Sequence, residues 1–331
     1  MTTPYFLLLT SYFLLPIAAY LDYLIGDPWG WLHPVQVMGW FIDKFTQAAL
    51  KYCRKPLARR LAGVVLFWGM VLGSLGVSWS IVYTARLVHP GLGLIVESVA
   101  LASCFAGRSL RQAAEDVLTA VANDDIETAR AKLRMYVGRD TDKLTIPDIY
   151  RAIFETITEN AIDGVMAPLF YAIVGLLFFP SIGAVPLAMA YKAASTLDSM
   201  VGYRRAPYTD LGWFSAKSED FLTWLPCRLS VLTLSLICGK PRTVWRVCFR
   251  DAPLDPSPNS GWSECAYAAA LGVQVGGVNH YQGQIQTKPL LGDALQPLTP
   301  GIIHQALRLT RYSFLLWVGL ALLFAGLSSK A

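Results

Sequence analysis

Three apolar runs, residues 5–21, 61–85 and 164–190, constrain this chain more than any other feature of it. A helix needs about 20 apolar residues to cross a bilayer, and each run is close to that length or beyond it. Two shorter runs, 92–106 and 313–327, are weaker candidates. Composition agrees: of 331 residues 54% are hydrophobic and 15% charged, too apolar and charge-poor for an average soluble protein of this size. The first run lacks a basic leader, exceeds the usual length of a signal-peptide core and reaches Asp22 without a small-residue cleavage pattern, so it reads as a retained anchor. The six cysteines form no C-x-x-C pair and fall mostly in or beside apolar stretches, where free cysteine behaves as a small hydrophobe.

Net charge is +5, and the cations cluster. Lys44, Lys51, Arg54, Lys55, Arg59 and Arg60 lie between the first two runs, and eight more basic residues lie between Arg108 and Arg151. The positive-inside rule puts both segments in the cytoplasm. A single crossing over 164–190 would then leave Lys192, Arg204, Arg205 and Lys217 outside. The stretch FFPSIGAVP resolves the parity, because Pro180, Gly183 and Pro186 break the run into a hairpin of two short helices. Residues 225–241 hold Arg228 and only about ten apolar residues after it, less than a span needs. That segment is expected at the interface or buried against other helices.

Residues 107–144 read as a helical hairpin. Leu110, Ala114, Val117 and Val121 share one face, Asn123, Asp124 and Asp125 make a break, and Ile126, Ala129, Leu133 and Val137 share the next face. A further helix over 147–163 has Thr145 as its N-cap and Pro147 in its first turn, where the missing N–H costs nothing. Residues 240–311 are polar and rich in Pro and Gly, with a small-residue helix in which Ala266 and Ala270 permit close packing. The expected fold is an all-α, polytopic integral membrane helical bundle counted as one membrane-embedded domain, 1–331. It carries a cytoplasmic helical insertion over 107–160 and a polar, Pro/Gly-rich site loop with the small-residue helix over 239–311.

Four clusters could carry chemistry. Arg151, Glu155, Glu159 and Asp163 fall at every fourth position, a stripe about 200° around the helix from Ile149, Ile153, Ile157 and Ala161. A charge run of this kind is normally a solvated face. Here three like charges repel, and an acid heading a span is costly unless a cation compensates. Mg²⁺ with its phosphates would do so, since it takes one or two carboxylates plus phosphate oxygens. In YKAASTLDSMVG, Lys192, Thr196 and Ser199 share one face and Tyr191, Ser195 and Asp198 another, a set able to hold phosphate. In LDYLIGDPWGWLHPVQVMG, Asp22, Asp27 and His33 follow the first run in a turn-rich context that Trp29 and Trp31 would equally suit as an interfacial turn. SPNSGW offers Ser257, Asn259 and Ser260 on a turn. There is no G-x-x-x-x-G-K-[ST], and His33, His89, His280 and His304 lack zinc-ligand spacing.

Taken together, GDPWGWLHPVQVMG, VGRDT, ENAIDGVMAPLFY, AYKAASTLDSMVGY, SAKSEDFLTWLPCRL and SPNSGW, in this order and spacing, closely resemble the membrane-bound adenosylcobinamide-phosphate synthase family of cobalamin biosynthesis, the CobD/CbiB family. The resemblance runs from about residue 20 to residue 283. Two positions depart from it: Ser195, where Asn is expected, and Asp255, where His is common. The resemblance implies a ligase of the inner cell membrane, with its site facing the cytoplasm. Its substrates would be adenosylcobyric acid, a corrinoid, and aminopropanol or its O-phosphate, joined as an amide with ATP consumed and Mg²⁺ present. Its surroundings would be the lipid bilayer and other proteins of cobalamin biosynthesis, with no nucleic acid. On that reading Glu155, Glu159 and Asp163, with Asp27 and Asp198, serve Mg²⁺ and the amine. Asp27, Glu159 and Asp163 are the metal ligands, while Lys192, Lys217 and Arg139 hold phosphate. Asn160, Thr196, Ser257 and Asn259 supply hydrogen bonds, and His33 or a carboxylate takes the amine proton. A corrinoid or amine transporter, or a non-catalytic membrane sensor, is the competing class, since either would also place ionisable groups at membrane segments.

Overall fold

The computed structural model describes residues 4–26, 33–203 and 205–328, with side chains from Phe13 to Leu327. In chain order the elements are α1 (Pro4–Leu24), α2 (Pro34–Tyr52), α3 (Pro56–Val88), α4 (Pro90–Ala102), α5 (Gly107–Ala122), α6 (Ile126–Arg134), α7 (Ile146–Ala161), a π-helical turn (Ile162–Met166), α8 (Ala167–Phe178), α9 (Ala184–Val201), α10 (Trp213–Ile237), α11 (Pro241–Asp251), a 3₁₀ turn (Ala252–Leu254), α12 (Ser260–Leu271), β1 (Val275–Tyr281), β2 (Gln284–Leu291) and α13 (Pro300–Ser328). Among the described residues, four stretches are long and apolar enough to cross a membrane: Pro56–Val88, Ile146–Phe178, Trp213–Ile237 and Pro300–Leu327. The bent pair of α4 and α5 makes a fifth if it counts as one span. The chain is therefore a helical, multi-pass membrane protein.

The hairpin expected at Pro180 is present: α8 stops at Phe178, Gly183 adopts φ +95°, and the chain reverses into α9. Thr145 caps α7 in a capping box with Asp148, and Asp125 caps α6. Three features differ from the sequence reading. The segment 225–241 is not a short interfacial piece. Its helix starts at Trp213, so SEDFLTW lengthens it to 25 residues that pass as a span, with Arg228 held over the rings of Trp224 and Trp262 (5.1 and 4.7 Å). Within 239–311, α11 and an antiparallel hairpin of β1 and β2 stand where a loop is expected. The helix leading into the third run widens into a π turn at Asp163 and Gly164, a geometry frequent at functional sites.

The chain also divides into two compact units, each assembled from separated stretches. The first takes residues up to Ala106, Ala167–Thr223 and Val318 onward. Its centre is α9, with 12 of 18 residues buried, packed against α2, α3, α4 and α8. Ile42, Leu66, Phe67, Ala194, Leu197 and Val201 form a core there. Small side chains on α9 allow close approach. At the reversal the approach is closer still: a Cβ on Gly175 would lie 2.3 Å from the Gly183 carbonyl oxygen.

The second unit takes Gly107–Met166 and Trp224–Trp317. Helices α5, α6 and α7 pack mutually, and α12 packs on α7 and α11. Of the 12 residues of α12, 11 are buried, so this helix is core on every side. Asp251, ending α11, accepts from Arg250 through both oxygens (2.6 and 2.8 Å) and from the Gly292 amide (2.9 Å).

Two outcomes follow from this packing. Gly175→Ala pushes a methyl into backbone, which costs about 1–3 kcal/mol, while Gly76→Ala has nothing within 4 Å and gains helix propensity. Thermal melting in detergent is expected to fall for the first and hold or rise for the second. The Arg250 hydrogen bonds and the Gly292 amide keep the Asp251 carboxyl below its ordinary value. A depressed carboxyl contributes stability above its unfolded pKa and loses it as pH falls through the folded one. Asp251→Asn should therefore destabilise the protein at neutral pH and flatten its acid-side melting curve.

Candidate active site

In the second unit the acidic stripe of α7 meets β1. Glu155 is 1% exposed and both its oxygens are engaged: Oε2 accepts from Arg139 Nη2 and Oε1 from the Gly276 amide at 2.8 Å. Arg139, itself buried, donates through Nη1 to Asn279 Oδ1 (2.9 Å). Burial alone would lower the Arg139 pKa, but the Glu155 charge and hydrogen bond outweigh it and raise it. One turn earlier, Arg151 donates to the carbonyls of Gly276 and Val278. The first half of the stripe thus clasps a strand edge. Gly276 fits that clasp at φ +92°, and a Cβ there would sit 1.9 Å from the Pro289 oxygen. Asp140 completes the grip, accepting from the Gln282 and Gly283 amides at 3.0 and 2.8 Å.

The second half of the stripe has a different setting. Glu159 is half-buried, and its charge is balanced by Lys288 and Arg139 and opposed by Asp255 and Glu155. Asp163 is half-buried in the π turn, and the residues after it no longer keep α-helical phase with Glu155 and Glu159. Asn160 is exposed and donates to Thr156 in its own helix at 2.8 Å. Glu159 and Glu264 of α12 act on each other as like charges; Glu264 is 0% exposed, with Lys288 Nζ 3.5 Å from Oε1 and Oε2 buried with no hydrogen-bond partner among the described residues. Burial drives the Glu264 carboxyl well above the usual carboxylate range, with Lys288 opposing and Glu159, Glu155 and Asp255 reinforcing. Lys288 is held charged: these acids raise its pKa against the cost of burial.

The turn before α12 is self-ordered. Asp255 accepts from the Ser257 amide (2.8 Å), and Ser257 Oγ accepts from the amides of Asn259 and Ser260 (3.3 and 3.1 Å). Asn259 is buried and receives Arg228 Nη1 on Oδ1 at 2.8 Å.

The other expected residues belong to the first unit. His33 caps α2, its Nδ1 accepting from the Val35 amide at 3.3 Å in a box with Gln36. On α9, Lys192 and Asp198 are half-buried, and the Thr196 hydroxyl donates to the Lys192 carbonyl (2.7 Å). Lys217 is exposed, 3.7 Å from Asp220. Buried nearby in that unit, Glu219 accepts from Tyr191 (3.3 Å) and Thr223, with the charges of Asp198 and Asp220 around it. Asp27 lies outside the described residues.

Glu264, Lys288 and Glu219 escape a reading by sequence. Glu264 does carry a faint signal, an acid on a helix of otherwise small and apolar residues. Among the described residues no group of three or more His, Cys, Asp or Glu is arranged to hold a metal ion unaided.

The CobD/Cbib protein family matches over residues 15–310. Similar proteins include the cobalamin biosynthesis protein CobD of Synechocystis sp., 52% identical over 310 residues, 93% of this chain and 90% of that one. The cobalamin biosynthesis protein CbiB of Salmonella typhimurium is 41% identical over 327 residues, 95% and 98% of the two chains. The cobalamin biosynthesis protein CobD of Citrobacter koseri is 39% identical over 314 residues, 93% and 94%. No solved structure matches the chain.

Removing one partner of a buried ion pair costs about 3–5 kcal/mol, because the other charge is left uncompensated. Arg139→Met is expected to lose that much by denaturant unfolding in detergent, and Arg139→Met with Glu155→Gln to recover part of it. Equal loss in both would show that the pair is not what the strand depends on.

Proposed function

This chain belongs to the CobD/CbiB family, and we propose that it acts in cobalamin biosynthesis as an adenosylcobinamide-phosphate synthase. It joins the free propionate of adenosylcobyric acid to aminopropanol or its O-phosphate through an amide, consuming ATP. The observation that carries this reading is identity of 52% over 93% of the chain with a protein named for cobalamin biosynthesis.

A carboxylate is a poor acyl donor, so the acid must be activated. Its oxygen attacks the terminal phosphoryl group of ATP, the bond to the β-phosphate oxygen breaks, and ADP leaves as the acyl phosphate forms. The amine nitrogen then attacks the acyl carbon, phosphate leaves, and the amine proton passes to a carboxylate. Positioning and charge neutralisation do most of the work in the first step. Mg²⁺ borne on nucleotide phosphates needs only one or two protein carboxylates, which suits a chain without a three-acid metal group among its described residues. Glu159 and Asp163 are the acids we assign to it, and the ion would neutralise phosphate charge there. Arg139 and Glu155, committed to each other and to β1, act as positioning residues. Lys288 and Glu264 join the assignment, Lys288 as a half-buried cation for an anionic intermediate. Lys192 and the exposed Lys217 offer charge to the anionic co-substrates. By the positive-inside rule the site faces the cytoplasm of the inner membrane, where ATP is available.

Purified protein in detergent with adenosylcobyric acid, ATP, Mg²⁺ and either amine, followed by mass spectrometry of corrinoid and nucleotide, tests the reaction and identifies the amine. Asp163→Asn is expected to abolish the amide product while its melting temperature and elution stay unchanged. Full activity in that variant would sink the assignment.

A further inference from the structure

Within the first unit, α2, α3, α4 and α9 enclose a cavity of about 550 Å³, within the 300–1,000 Å³ typical of ligand sites. Gly69, Gly73 and Val77, at every fourth position of α3, form its floor, and Met38, Phe41 and Met189 face them. Phe41 and Val77 are 52% and 62% exposed, so the cavity is a groove open at its side. Among the described residues a Cβ built on Gly69 or Gly73 meets nothing within 4 Å, so the glycines leave room there. The lining is mostly apolar, and the Ser78 hydroxyl within it donates to the Ser74 carbonyl at 2.6 Å. Methionine pairs such a floor with soft, adaptable walls suited to a chain-like apolar guest.

One end of the groove is marked by charge. Along α2, Lys44 follows Phe41 by three residues, about 4.5 Å of helix rise. Beyond it the same helix and the turn into α3 present Lys51, Arg54 and Lys55, all exposed. Arg59 and Arg60 are already used, on the Cys53 carbonyl and Asp210. Basic residues at the mouth of a cleft between membrane helices select an anionic headgroup, while α3, 33 residues long and apolar, places the groove at bilayer depth.

We propose that this groove is a binding site for an anionic phospholipid, one acyl chain lying along Gly69, Gly73 and Val77 and the headgroup phosphate at Lys44, Lys51, Arg54 and Lys55. The proposal does not depend on the catalytic assignment. Filling the floor with Gly73→Leu displaces the chain without backbone conflict, and Lys44→Gln with Lys51→Gln weakens the headgroup contact.

Native mass spectrometry of the full chain, purified in mild detergent and exchanged against phosphatidylglycerol or phosphatidylcholine, reads the occupancy. The wild type is expected to retain phosphatidylglycerol at least several-fold over phosphatidylcholine and to melt at higher temperature with it. Gly73→Leu is expected to lose the adduct, and the double lysine variant to lose the preference while still folding. Equal retention of both lipids, retention unaffected by Gly73→Leu, or a change of oligomeric state in Gly73→Leu instead of lipid loss would overturn the proposal. The last result would mark the groove as a contact between copies of the chain.

Discussion

A charge withdrawn from water must be matched or it unfolds what surrounds it, and the second unit is organised around that demand. Glu155 is buried on a helix whose neighbours are isoleucines and phenylalanine, and it is matched twice, by Arg139 and by the Gly276 amide. Each match recruits a separate part of the chain: the VGRDT segment on one side, the strand edge on the other. Such a pair contributes little as net stability against an apolar alternative. It does specify which strand lies on α7 and in which register, because only the bulge at Gly276 brings an amide to the free carboxylate oxygen.

That arrangement explains what could be read in advance and what could not. Local rules delivered α7 with its Thr145 cap, the break near Pro180 and the small-residue helix α12, since caps, prolines and alanines act over a few residues. The strands were illegible for a physical reason. Gly276 and Gly277 both sit at positive φ, and turn-like glycine in β1 masks the alternation that marks a strand. The length of α10 was hidden by Arg228, whose charge looks prohibitive until Asn259 and two tryptophans, one of them on α12, surround it.

For the candidate site the same logic divides the acidic stripe. Its period is visible in the sequence, but period alone treats Glu155 and Glu159 alike. Only the folded chain separates them, one saturated and holding a strand, the other half-buried beside Lys288. Glu264 and Lys288 come from α12 and β2, more than 100 residues from the stripe, so no local pattern could have joined them to it.

The grip of Asp140 on the turn of the β-hairpin has a bearing on how the chain assembles. Arg139 and Glu155 are 16 residues apart and can meet as soon as α7 is made, whereas Asp140 waits for Gln282 and Gly283, more than 140 residues later. A two-stranded hairpin is marginal on its own, so its order is borrowed from a segment synthesised long before it. The early segment is thus a template held ready with its charge already neutralised, and the last third of the chain folds by being read against it.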